Sequence, residues 1–69
     1  MARKVFKTQE YILHLITSSS GVMIVKLIDK LTREVLEHKV FTDVGEELTD
    51  YVESTGFDSS KIVNYLNAK

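Results

Sequence analysis

The chain has no cysteine, no proline and no tryptophan, and only three glycines among its 69 residues. Without cysteine it is neither a disulfide-stapled secreted scaffold nor a thiolate metal site. Two histidines, His14 and His38, are too few to build a zinc site alone. Without proline, its turns must rest on Gly, Ser, Asp and Asn. No apolar run approaches the ~20 residues of a membrane span. The opening residues MARKVFKTQEY are basic but lead into no signal-peptide apolar core, so a cytoplasmic protein with no membrane partner is expected. The length allows one small α+β domain over residues 1–69, with a core modest enough for oligomerisation to matter.

Net charge is -1, but it is unevenly spread. Residues 1–39 carry seven Lys/Arg against four acids, and residues 40–69 carry two Lys against six acids. The chain is dipolar, basic first and acidic after.

Lys4 to Ile16, Val22 to Ile28 and Glu34 to Phe41 are rich in Val, Ile, Leu, Phe and Tyr, and are read as three strands. Between the first two lies Ser18-Ser19-Ser20-Gly21. With Gly21 in the left-handed position this is a bulged hairpin turn that sets Ser18 opposite Val22. Leu13, Leu15, Met23, Val25 and Leu27 then share one apolar face. Ile12, His14, Ile16, Ile24, Lys26 and Ile28 share the other. A one-residue slip would mix the two sets, which costs burial. As a phosphate loop the serine cluster fails, because no helix follows it and no Gly-Lys-Ser/Thr is present.

The second reversal, DKLTRE, pairs Asp29 with Glu34 around a four-residue loop, with Asp29 and Thr32 bonding the local backbone. Continued without interruption, that register puts Leu36, His38 and Val40 on the core face. It puts Val35, Glu37, Lys39 and Phe41 on the second, where His14, Lys26 and Glu37 form one polar row.

The last third reads as two helices. Thr42 or Asp43 caps the first, with Glu46 completing a capping box. Val44, Leu48, Tyr51 and Val52 make its apolar stripe. Gly56 ends it, and Phe57 folds back on Val52 as in a Schellman closure. Asp58 or Ser59 caps a second helix bearing Ile62, Val63, Tyr65 and Leu66. The expected architecture is a three-stranded antiparallel β-meander with two C-terminal α-helices packed on one face (β-β-β-α-α). Leu15, Val25, Leu27, Leu48 and Val52 are its expected core.

No catalytic constellation, cofactor motif or metal-ligand spacing emerges, so a non-enzymatic protein without cofactor or metal is expected. Glu46, Asp50 and Glu53 form a candidate acidic surface, suited to a basic partner or to imitating a nucleic-acid backbone; a solvated helix face is the plainer reading. ARKVFK offers three cations and an aromatic, a minimal nucleic-acid signature. Ile12, His14, Ile24, Lys26, Glu37 and Phe41 are the candidate partner-binding residues, because they occupy a sheet face the helices do not need to cover.

VKLIDKLTREVL, followed by an acidic helix and TGF, resembles the hairpin-helix region of FlaG-type flagellar proteins over about half of the chain. The pattern departs at Glu37-His38-Lys39-Val40, where that family continues with an Ile-Pro pair. The resemblance alone does not make the chain a member.

Taken together, these features point to a small binding or regulatory protein acting through protein contacts, with a homodimer the leading arrangement. The alternative is a nucleic-acid-binding module using the basic N-terminal strand, or a mimic using the acidic helix.

Overall fold

The computed structural model describes residues 2–68. Its elements are β1 (Ala2–Lys7), β2 (Tyr11–Thr17), β3 (Met23–Asp29), β4 (Val35–Phe41), α1 (Glu46–Ser54) and α2 (Ser59–Asn67). The strands pair antiparallel in chain order. The α+β class and both C-terminal helices are as expected, but the sheet has four strands rather than three. The run Lys4 to Ile16 is two strands. Thr8 makes the break: its hydroxyl accepts the amides of Glu10 (3.4 Å) and Tyr11 (3.1 Å), while its own N–H donates to the Tyr11 carbonyl (2.9 Å). A threonine thus does locally what a glycine or asparagine turn usually does.

The Ser18–Gly21 hairpin is as the register required. Ser18 N–H donates to the Val22 carbonyl (2.9 Å), Gly21 N–H donates to the Ser18 carbonyl (3.2 Å), and Gly21 has φ +90°. In DKLTRE the Asp29 carboxylate accepts from the amides of Leu31 (2.9 Å) and Thr32 (3.1 Å), and Asp29 N–H reaches the Glu34 carbonyl (2.8 Å). Closing this loop puts Arg33 at φ 66°, a left-handed position held by a side chain that does not favour it.

Past that loop the uninterrupted register fails. Ile28 pairs with Val35, but Leu27 pairs with Glu37, and Leu36 has no partner of its own. One extra residue in a period-two strand exchanges the faces of everything beyond it. Glu37, Lys39 and Phe41 therefore stand on the helix side, and His38 and Val40 stand on the other. The uninterrupted register places each set on the opposite side.

The core joins Leu13, Leu15, Met23, Val25 and Leu27 of the sheet to Leu48, Val52, Phe57 and Ile62. All five expected core residues are buried, and Leu13 and Ile62 join them. The N-terminus of α1 differs from expectation. Its N-cap is Gly45, with no side-chain cap, because Phe41 is held in the ladder opposite Met23. Thr42 to Gly45 carry the chain from the sheet to the helix layer, which leaves Val44 exposed outside the helix. The other end closes as a Schellman motif: Phe57 N–H donates to Val52 O (3.3 Å) and Gly56 N–H to Glu53 O (3.1 Å), with Gly56 at φ +89°. Asp58 caps α2 by accepting the Ser60 amide.

Candidate functional site: the open face of the sheet

Both helices lie on one side, so the opposite face of the four strands is open. Its cross-strand rows follow from the pairing. Arg3, Ile16, Ile24 and Val40 form one row; Val5, His14, Lys26 and His38 form the next; Lys7, Ile12, Ile28 and Val35 form a third.

Of the expected partner-binding residues, Ile12, His14, Ile24 and Lys26 are on this face. Glu37 and Phe41 are not. The Glu37 carboxylate accepts a hydrogen bond from the Tyr51 hydroxyl (3.1 Å), and the Phe41 ring packs on Tyr51 with centroids 5.9 Å apart. The polar row accordingly ends in His38 rather than Glu37, and the two histidines share a face instead of lying on opposite ones. Nothing local in the sequence marks the responsible bulge.

The apolar groups of this face are not equally available. Ile12 and Ile16 are only 6 % and 9 % exposed although no helix covers them, because strands flank β2 on both sides and bring Lys7, Ile28, Arg3 and Ile24 against them. Ile24 and Ile28 are half-buried. Val35 and Val40 on the outer strand are 52 % and 59 % exposed. Apart from Val5 on β1, 45 % exposed, the accessible apolar groups of this face therefore lie on β3 and β4.

Every formal charge at a strand position of this face is positive: Arg3, Lys7 and Lys26. His14 sits between two of them. Burial, then Arg3, then Lys26 hold its imidazole below the ordinary histidine value, so it is neutral at neutral pH and adds no charge of its own. Phe6, Tyr11, Phe41, Tyr51, Phe57 and Tyr65 all belong to the core or pack against it, so the open face offers no aromatic ring. In ARKVFK the aromatic is likewise engaged, since Phe6 meets Tyr65 edge-on at 6.2 Å and Lys4 Nζ lies 5.9 Å from the Tyr65 ring centroid.

Both sheet edges are blunted against pairing with another strand. β1 carries Arg3, Lys4 and Lys7 within six residues, and β4 carries the Leu36 bulge.

Two other features were compared with this face. A cleft of about 510 Å³ between β1 and α2 brings Lys4, Lys7 and Lys61 near the start of α2. That helix terminus already holds a carboxylate: Asp58 accepts from the Ser60 hydroxyl (2.6 Å) and amide (3.0 Å). These bonds keep the Asp58 carboxyl below its ordinary value. Glu46, Asp50 and Glu53 are exposed on α1 as expected, but Glu53 accepts the Ser59 hydroxyl (2.7 Å) and so ties α1 to α2. Among the described residues no group of three His, Cys, Asp or Glu could hold a metal ion, and no helix is long and apolar enough to cross a membrane.

Compared with protein-family models, with curated proteins and with solved structures, the chain matches none.

Proposed function

We propose that this is a non-enzymatic binding protein whose docking surface is the open face of the sheet, centred on β3 and β4. One observation carries the reading: two apolar pairs, Ile24 with Val40 and Ile28 with Val35, stand at least partly exposed on either side of the Lys26–His38 row, on a face that neither helix covers. Exposed apolar side chains grouped around polar ones on an uncovered face suit an interaction site.

Two copies stacked face to face would also bury these residues. In that arrangement both apposed faces carry only positive formal charges at their strand positions, Arg3, Lys7 and Lys26. No ion pair between these positions spans the interface, and like net charge opposes association. A different protein partner is therefore the better occupant, and homodimerisation the second. Nucleic acid fits less well, since single-stranded bases are held largely by stacking on aromatic rings and the rings of this chain are engaged on the helix side.

Val40→Glu tests the reading, because a residue 59 % exposed tolerates a charge without loss of the fold. Sedimentation velocity at micromolar concentration and affinity capture from the native host should both be compared with wild type. A protein retained by wild type and lost by Val40→Glu is the expected result; retention unchanged by Val40→Glu excludes this face.

A further inference from the structure

We infer that the occupant of the open face is an acidic amphipathic helix, laid on Ile24, Ile28, Val35 and Val40 with its carboxylates directed to Lys26 and to Arg3 and Lys7 beyond it. This rests on the docking-face reading above and specifies the chemistry of the partner.

The charge argument comes from the fold. A face whose ionised groups are all positive selects a partner of opposite sign, in both orientation and rate of encounter. The bulge at Leu36 keeps carboxylates off the strands of this face. Without it, Glu37 and Lys39 would both stand here; with it, Glu37 is engaged by Tyr51 on the far side and Lys26 has His38 as its neighbour.

The shape argument comes from spacing. Ile24 and Ile28 lie four residues apart on one strand, about 13 Å along it. A helix covers that length in about nine residues, which places apolar anchors at i and i+8 over Ile24 and Ile28 and leaves the turn between them, above Lys26, for a carboxylate. β1 lies two strands from β3, about 10 Å away, so carboxylates on the flank of a helix about 10 Å wide come within reach of the long Arg3 and Lys7 side chains. An added strand is the poorer fit, because both edges are blunted. The opposite face of this sheet already shows the same solution, with α1 and α2 resting on Leu13, Leu15, Val25 and Leu27.

Synthetic helical peptides with a leucine stripe at i, i+3, i+4 and i+7 test this, one flanked by glutamates and one by lysines, beside a single-stranded oligonucleotide. Each is titrated into ¹⁵N-labelled full-length protein and followed by amide shifts and fluorescence anisotropy. The acidic peptide is expected to bind, to shift amides in Ile24–Ile28 and Val35–Val40, and to weaken as salt rises. The double variant Arg3→Glu Lys26→Glu should lose about tenfold or more in affinity for it and bind the lysine-flanked peptide better than wild type does. Equal binding of both peptides to wild type, or shifts confined to α1 and α2, overturns the inference. So does an oligonucleotide that displaces the acidic peptide from the same amides. If no peptide binds but wild type self-associates and Val40→Glu dissociates it, the acidic helix is excluded while the docking face stands. If neither occurs and no host protein is retained by wild type and lost by Val40→Glu, both fall.

Discussion

The Tyr51 hydroxyl donates to Glu37 Oε1 at 3.1 Å, joining the first helix to the outer strand of the sheet. The contact exists only because the bulge at Leu36 turns Glu37 toward the helices. Burial, with Glu37 as hydrogen-bond acceptor and as negative charge, pushes the Tyr51 phenol up to about 12. In the unfolded chain the phenol ionises near its ordinary value of about 10. The unfolded state therefore loses its proton first, and stability contributed by this group declines as pH rises from about 10 to about 12. Tyr51→Phe should remove that dependence and cost about 0.5–1 kcal/mol, the low end for an exposed hydrogen bond. Glu37→Gln should lower the phenol's midpoint, read by ultraviolet titration of tyrosinate.

The open-face histidine predicts a dependence at the acid end. His14 has its folded value lowered by burial, Arg3 and Lys26, so on acidification the unfolded chain takes up the proton before the folded one. Stability from this group is intact above about 6.5 and is lost as pH falls through that value. Thermal unfolding of wild type and His14→Gln between pH 8 and 5 checks this. The variant should show the smaller fall, and an equal fall in both would refute the assignment.

The two left-handed positions in the strand-to-strand loops, Gly21 and Arg33, predict opposite signs. Gly21 has φ +90° with open space where a Cβ would stand, so Gly21→Val meets backbone strain and no clash; the expected cost is about 1–2 kcal/mol. Arg33 already bears that strain at φ 66°, and Arg33→Gly should stabilise by up to about 1 kcal/mol after the added freedom of the unfolded chain is subtracted. Ser19→Ala, at an exposed position of the same hairpin as Gly21, should be nearly silent. Urea unfolding of the three variants reads all of these.

Leu48 is buried where α1 meets the sheet. Leu48→Ala should cost about 2–4 kcal/mol, most of what a domain of this size has. A loss of unfolding free energy below about 1 kcal/mol, read by urea denaturation, would mean that the helix contributes little to the core.

Much of the fold was legible in the residues because the signals were local. Alternation over Ile12–Thr17 and Val22–Ile28, with a glycine after three serines, left one register that kept the leucines together. Gly56-Phe57-Asp58 carried both the end of one helix and the cap of the next. Of the proposed surface, Ile24, Lys26 and His14 were found by the same alternation. The break at Thr8 was obscured because threonine is also a strand residue; the signal available was four polar residues in a row, Lys7 to Glu10, inside a run too long for an ordinary strand.

Glu37, Phe41 and His38 mark the boundary between the two kinds of information. Which residues are apolar, and with what period, follows from the chain alone, and it determined the α+β class, the hairpin register and the core leucines. Which way β4 faces was decided by tertiary structure. A single extra residue costs little locally, yet it lets Phe41 pack on Tyr51 and Glu37 accept its hydroxyl. Those contacts join positions ten and fourteen residues apart in the chain, so no local pattern in β4 records them. The same bulge takes Glu37 and Lys39 off the open face and leaves its strand positions without a carboxylate, because a period-two strand exchanges its faces whenever one residue is inserted.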